Sequence, residues 1–208
     1  MKLPDKGKAT GNATADAIQA LLQAAHQAGV SAAAFIPAGE IVSEDKFADM
    51  CREPRCENYG LSPGCPPHVA GPAAFRKRLV RFESAIFFRI DVPAEVLFSS
   101  ERRECFQLLH EIAAGIEQKA VDMGFKSARA YAGGSCKQLF CFDHPECRVL
   151  AKKGTCRHPQ VARPSMSGYG INVARLVEAA GWSVSGIAPD AVPPGRRPEN
   201  IYGLVMID

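Results

Sequence analysis

Seven of the eight cysteines in this chain fall in two short loops, and the loops share a pattern. The first holds Cys51, Cys56 and Cys65 in CREPRCENYGLSPGCPPHVAGP, and the second holds Cys136, Cys141, Cys147 and Cys156 in CKQLFCFDHPECRVLAKKGTCRHPQVARP. Cys56 and Cys65 lie nine positions apart, as do Cys147 and Cys156, and a shift of 91 positions lays one pair on the other. Each final cysteine leads into a turn with Pro and His and then Val-Ala-x-Pro, at 69–72 and at 161–164. Any fold for this chain must therefore support two irregular, thiol-rich loops, and the pattern predicts an internal duplication.

The surrounding sequence predicts where those loops sit. A helix is expected over 14–28, with Thr14 as its cap, a stripe of Ile18, Leu21, Leu22 and Ala25, and Gly29 to end it. A strand follows at 31–36, with a possible short one at Ile41-Val42, and then the first cysteine loop. Pro72 suits the first position of a helix reaching about Phe82, and AIFFRIDV at 85–92 reads as a central strand. The order then recurs: a long helix from Ser100 to Met123 closed by Gly124, a strand at 128–131 broken by Gly133-Gly134, and the second cysteine loop. A helix at 171–180, a strand at 182–187, a Pro/Gly/Arg-rich loop at 189–200 and a last strand at 201–207 complete the chain.

Two pseudo-repeats, about 14–92 and 100–188, each read helix, strand, cysteine loop, helix, strand. No linker rich in Pro, Gly or Ser divides them. The expectation is one domain over 14–208, with residues 1–13 a loose tail and both halves sharing one sheet with packed helices, an α/β fold. Each cysteine loop runs from a strand into a helix, so the two are expected to face each other at a sheet edge.

Composition narrows the context. With 47% hydrophobic and 23% charged residues the chain reads as a soluble globular protein, with no apolar run long enough to span a membrane. The basic start MKLPDKGK lacks an apolar stretch behind it, so the reading is a cytoplasmic protein whose thiols stay reduced. A net charge of +3 does not argue for nucleic acid, and only Phe140, Phe142 and Tyr169 lie near the basic residues of the second loop, too few for a stacking surface. Those residues are Lys137, Arg148, Lys152, Lys153, Arg157 and Arg163; Arg52 and Arg55 flank the first loop. Cations near thiols favour the thiolate that binds metal, and they offset the charge of a thiolate-bound cluster.

Three chemistries compete for the cysteines. Iron–sulfur clusters take thiolates, four for a full [4Fe–4S] set. Structural zinc takes four thiolates or a Cys/His mix in tight pairs. Redox or nucleophilic thiol chemistry is the third. No Cys-x-x-Cys occurs, which counts against a zinc ribbon and a thioredoxin-like dithiol. The second loop supplies four thiols for one cluster: Cys136, Cys141, Cys147 and Cys156. The first supplies three, Cys51, Cys56 and Cys65, which would leave one metal position for an outside ligand. His68 and His158 are candidate fourth donors, read more simply as hydrogen-bonding neighbours. Cys105, on a helix stripe with Leu108, Leu109 and Ile112, reads as core, as do Phe87, Phe88 and Trp182. Gly60, Gly64, Gly133 and Gly134 are expected to let backbone approach a bulky cofactor. No carboxylate pair, Ser/His/Asp set or phosphate-binding glycine loop is present, and GYGIN at 168–172 lacks the required pattern.

The segments CENYGLSPGCPP at 56–67, GGSC at 133–136 and CRHPQVARPSMSGYGINV at 156–173 resemble the predicted metal-binding proteins grouped as domain of unknown function 2284, over roughly 30–207. That resemblance implies a cytosolic, cysteine-rich protein of anaerobic metabolism carrying iron–sulfur, with all seven loop cysteines as candidate ligands. The chain departs from the pattern where Lys137 to Phe140 separate Cys136 from Cys141, which leaves open which of those two is a ligand. The resulting expectation is an iron–sulfur protein with one or two [4Fe–4S] clusters that transfers electrons to a redox partner protein. The alternative is a zinc-stabilised binding module. Neither reading involves nucleic acid or membrane, and neither decides whether the protein is an enzyme.

Overall fold

A computed structural model describes residues 6–182 and 198–208, with backbone alone over 6–13. Its centre is a four-stranded antiparallel sheet in the order β1-β2-β4-β3. The strands are β1 (Ala32–Pro37), β2 (Ser84–Val92), β3 (Arg129–Ala132) and β4 (Glu199–Ile207). The helices are α1 (Lys6–Gln27), α2 (Asp45–Asp49), α3 (Gly71–Leu79), α4 (Ala94–Leu97), α5 (Arg102–Asp122), α6 (Cys136–Phe140) and α7 (Val173–Ala179). The fold is thus mixed α/β, as the element pattern predicts.

Alternation along β2 builds two cores. Ile86, Phe88, Ile90 and Val92 point to one face, where they pack with Leu21 and Ala25 of α1 and Leu109, Ile112, Ala113 and Ile116 of α5. Ala85 and Phe87 point to the other, where Phe75 of α3, Leu176 of α7, Met166 and Tyr169 cover them. Both faces of β2 are therefore dry, which is why AIFFRIDV shows no polar alternation. Phe87 and Phe88 are fully buried, each stabilising by about 1.5–3 kcal/mol. Phe88 lies over Gly203, its register partner on β4, filling the space a side chain there would occupy.

Several boundaries differ from the sequence reading. The first helix starts at Lys6, taking in residues assigned above to the tail, so Thr14 lies within it rather than capping it. Ile41-Val42 forms no strand, although the adjacent Ser43 makes an isolated bridge to Ile171. The short helices α2, α4 and α6 carry too little periodicity to be read in advance. Leu108 is 42% exposed, so the α5 stripe turns away from it and onto His110, which is fully buried. Trp182 is half-buried and stacks on Phe87 with ring centroids 5.2 Å apart. The rest of the strand expected at 182–187 and most of the loop at 189–200 lie outside the described residues.

The expected meeting of the loops at one sheet edge needs correction. β1, β2, β4 and β3 are successively antiparallel, so β1 and β3 run in opposite directions and deliver their loops to opposite ends of the sheet. The loops meet because the end of the second, held against α5, continues into residues 165–172, which bond the first segment at Gly64, Glu44 and Val42.

Candidate metal centre

A clamp of main-chain bonds draws the two cysteine segments together. Upstream of Cys51, Glu44 N–H donates to Gly170 O at 2.8 Å, and Asn172 N–H donates to Val42 O at 2.9 Å. The Ser43 hydroxyl donates to Tyr169 O at 2.7 Å, and the Asn172 amide donates to Glu44 Oε2 at 2.5 Å. This explains GYGIN structurally. Gly170 has φ +68° and stands against the Glu44 carbonyl, so a side chain is excluded twice over. Closer to the thiols, Ser165 N–H donates to Gly64 O at 2.9 Å, and Gly64 packs against the Pro164 backbone. The two Val-Ala-x-Pro copies thus have different surroundings: Gly71-Pro72 opens α3, whereas Arg163-Pro164 abuts the first loop.

Cys136, Cys141, Cys147 and Cys156 line one tight pocket of about 20 Å³, closed by Pro63, Phe140, Val149 and His158. Cys51, Cys56 and Cys65 line a second, wider pocket of about 140 Å³ with Asn58, Tyr59, Ser135, Ser165 and Ser167. All seven sequence-predicted cysteines therefore fall into the two groups read from the loops. The two pockets share a wall. The Ser62 and Ser135 hydroxyls lie 3.4 Å apart, both residues are buried, and Ser62 also bonds the Cys136 thiol. Cys136 feels the charge of Cys65 across this wall as well as that of Cys156 and Cys147 on its own side.

The thiol electrostatics reverse one expectation. Burial, then the Cys65, Cys156 and Cys147 thiols, push Cys136 up to about 11, against a bond from Ser62. Burial raises Cys141 despite the opposing Arg157 guanidinium, and burial with Cys56 and Cys65 raises Cys51. The cations do not prevail over desolvation, so these groups are thiols rather than thiolates at neutral pH until a metal displaces the proton.

The basic residues divide by role. Lys137, Arg148 and Arg157 line the four-cysteine pocket. Lys137 Nζ donates to Cys141 O and His144 O, both at 2.8 Å, and so closes the turn after α6. Lys153 pairs with Glu146, Arg52 with Asp49, and Arg163 with Glu117. Arg55 lies over the Tyr59 ring. The His158 ring stacks on Phe140 and its main-chain N–H donates to Cys156 Sγ at 3.4 Å, whereas His68 Nε2 bonds Gly60 O at 3.2 Å within its own loop. Cys105 packs against the α1/α5 core, away from both pockets. Gly133 and Gly134 were expected to admit a cofactor, but a side chain at either would strike Phe106. Both therefore make room for Phe106, and Gly134 also lines the three-thiol pocket.

Three groups escaped the sequence reading. His110 and Glu117 sit on α5 and reach the second loop, and Ser62 and Ser135 join the pockets. Ser135 stands beside Cys136 in sequence, but the contacts that give these four residues meaning are long-range and carry no local signal.

The donor set, seven free thiols in two groups with hydroxyls and cations around them, suits thiolate-bound metal. Among the described residues, no three Cys, His, Asp or Glu side chains converge closely enough to hold a single ion. A tetrahedral zinc would place its sulfurs about 4 Å apart, given Zn–S near 2.3 Å. No helix of the described residues is long and apolar enough to cross a membrane.

The chain belongs to the family described as predicted metal-binding protein (DUF2284), whose model matches residues 34–207. That range spans both cysteine loops and all four strands but the first two residues of β1. No curated protein and no solved structure matches the chain.

Proposed function

We propose that this member of the predicted metal-binding family carries iron–sulfur clusters and passes single electrons to a partner protein in the cytoplasm. In this reading Cys136, Cys141, Cys147 and Cys156 hold one [4Fe–4S] cluster, and Cys51, Cys56 and Cys65 hold a second, more labile one. Such clusters supply one-electron redox chemistry when bound.

The observation that carries the reading is the four-cysteine pocket, in which four thiols face one space lined by Lys137, Arg148 and Arg157. Four thiolates match a cubane's full ligand set. The three cations offset its charge and favour the reduced form, while Phe140, Val149 and the stacked His158 limit water. The wider pocket has three thiols and a hydroxyl lining, which leaves one position for an exogenous ligand. The shared 91-residue offset supports an origin of the two sites by duplication.

The test is iron, acid-labile sulfide and zinc per chain on anaerobically purified protein, with its visible spectrum. About eight irons and eight sulfides with a broad brown absorbance are expected for two cubanes. Cys156→Ala should remove the tighter-held half and Cys65→Ala the labile half. A colourless protein with stoichiometric zinc would sink the redox reading and leave a zinc-stabilised binding module.

A further inference from the structure

Beside the three-thiol pocket lies an open cleft of about 560 Å³, within the size range of small-ligand sites. One wall is the start of α5, with Ser99, Ser100, Arg102 and Arg103; the floor is apolar, from Phe106, Leu139 and Phe142. The opposite wall holds Cys56, Asn58, Gly134 and Ser135, all four of which also line the three-thiol pocket, so the two spaces adjoin.

Among the described residues, neither Arg102 nor Arg103 forms an ion pair. Each guanidinium instead lies against an aromatic ring of the cleft, Arg102 over Phe106 at 5.9 Å and Arg103 over Phe142 at 3.9 Å. Stacking holds the guanidinium plane while leaving its N–H edge free to accept a bidentate oxyanion. Glu57, the cleft's one carboxylate, does not neutralise them: it accepts from the Asn58 and Gln138 amides on the far wall. Glu101 and Glu104 share the α5 turn but do not line the cleft. Phe142 remains 55% exposed, so much of its surface stays open to solvent beside Arg103.

We propose that this cleft binds a small organic oxyanion, a carboxylate or phosphate ester with an apolar body. Arg102 and Arg103 grip the anionic group, Phe106 and Phe142 flank the body, and the far end reaches the Cys56 side, where a metal group held by three thiols would leave a position open. The last element rests on the metal reading above; the cleft itself does not.

Binding of benzoate and of phenyl phosphate to the full chain, followed by calorimetry, tests this, with metal content measured on the same sample. Saturable binding of at least one probe is expected, and the tighter probe identifies the oxyanion class. The Arg102→Ala/Arg103→Ala pair should weaken it about tenfold to a hundredfold, the worth of charge-assisted hydrogen bonds. Arg103→Lys should recover only part, because the fork is lost. Arg78→Ala/Arg81→Ala, at a separate basic recess, should leave it unchanged. No saturation by either probe, or equal binding by the Arg102/Arg103 variant, overturns the proposal. Binding by protein that takes up no iron would retain the cleft while removing the cluster reading, and iron without binding would do the reverse.

Discussion

The His110 imidazole donates from Nε2 to the carbonyl of Gly133 at 2.9 Å, tying α5 to the turn that delivers Cys136. The tautomer follows from its other nitrogen: Nδ1 accepts the Arg163 backbone N–H at 3.1 Å and so carries no proton. One buried ring thereby fixes the chain entering the second cysteine loop and the chain leaving it.

Protonating that ring would set two donors against each other. Burial first, and then the Arg163 guanidinium, lower the pKa of His110 to about 4 from 6.5, outweighing the bond to Gly133. The folded state therefore holds fewer protons than the unfolded one between these values. Stability is fully present above about pH 6.5 and falls as pH drops toward 4, by about 3 kcal/mol over the window. Chemical denaturation at successive pH values should show this slope, and His110→Gln should flatten it.

Glu117 and Arg163 form an ion pair at 2.6 Å, with side chains only 13% and 12% exposed. Glu117 also accepts the Ala130 N–H of β3 at 2.7 Å. Glu117→Ala strands a buried guanidinium and an amide, so a loss of about 3–5 kcal/mol is expected. A midpoint in denaturant within error of the parent would show that the pair contributes nothing.

Gly170→Ala and Gly203→Ala test two close approaches. At Gly170 a methyl meets the Glu44 carbonyl at a left-handed φ of +68°; at Gly203 it meets the Phe88 ring. Each should cost about 2–3 kcal/mol in thermal or denaturant unfolding. Gly29→Ala is the control, with φ +95° and nothing within 4 Å, and should lose only the conformational part.

Because Cys136, Cys141 and Cys51 are raised above the ordinary thiol range, metal must displace their protons. Apparent affinity for a thiophilic probe ion such as Cd(II) should weaken as pH falls, with protons released on binding. Titration in two buffers of different ionisation enthalpy measures that release. Cys136→Ser should lower the number of protons released, whereas Cys105→Ala, outside both pockets, should not.

The sequence located what depends on local pattern. Both grouped sets of thiols, the strand at 85–92 and the helix ended by Gly124 were legible because apolar period, glycine position and cysteine spacing are properties of short segments. The direction in which Cys51 and Cys136 approach each other was not. That depended on the β1-β2-β4-β3 order, which sends the two loops from opposite sheet ends, and on long-range bonds such as Glu44 to Gly170. Those contacts join residues more than 120 positions apart, and no local propensity encodes them. The same holds for the charge of the thiols. Sequence placed cations beside them and implied thiolates, but only packing revealed that desolvation outweighs Arg157 at Cys141. Residue identity determined which chemistry is available; tertiary burial decided its protonation and its neighbours, because both depend on what surrounds a side chain rather than on what precedes it.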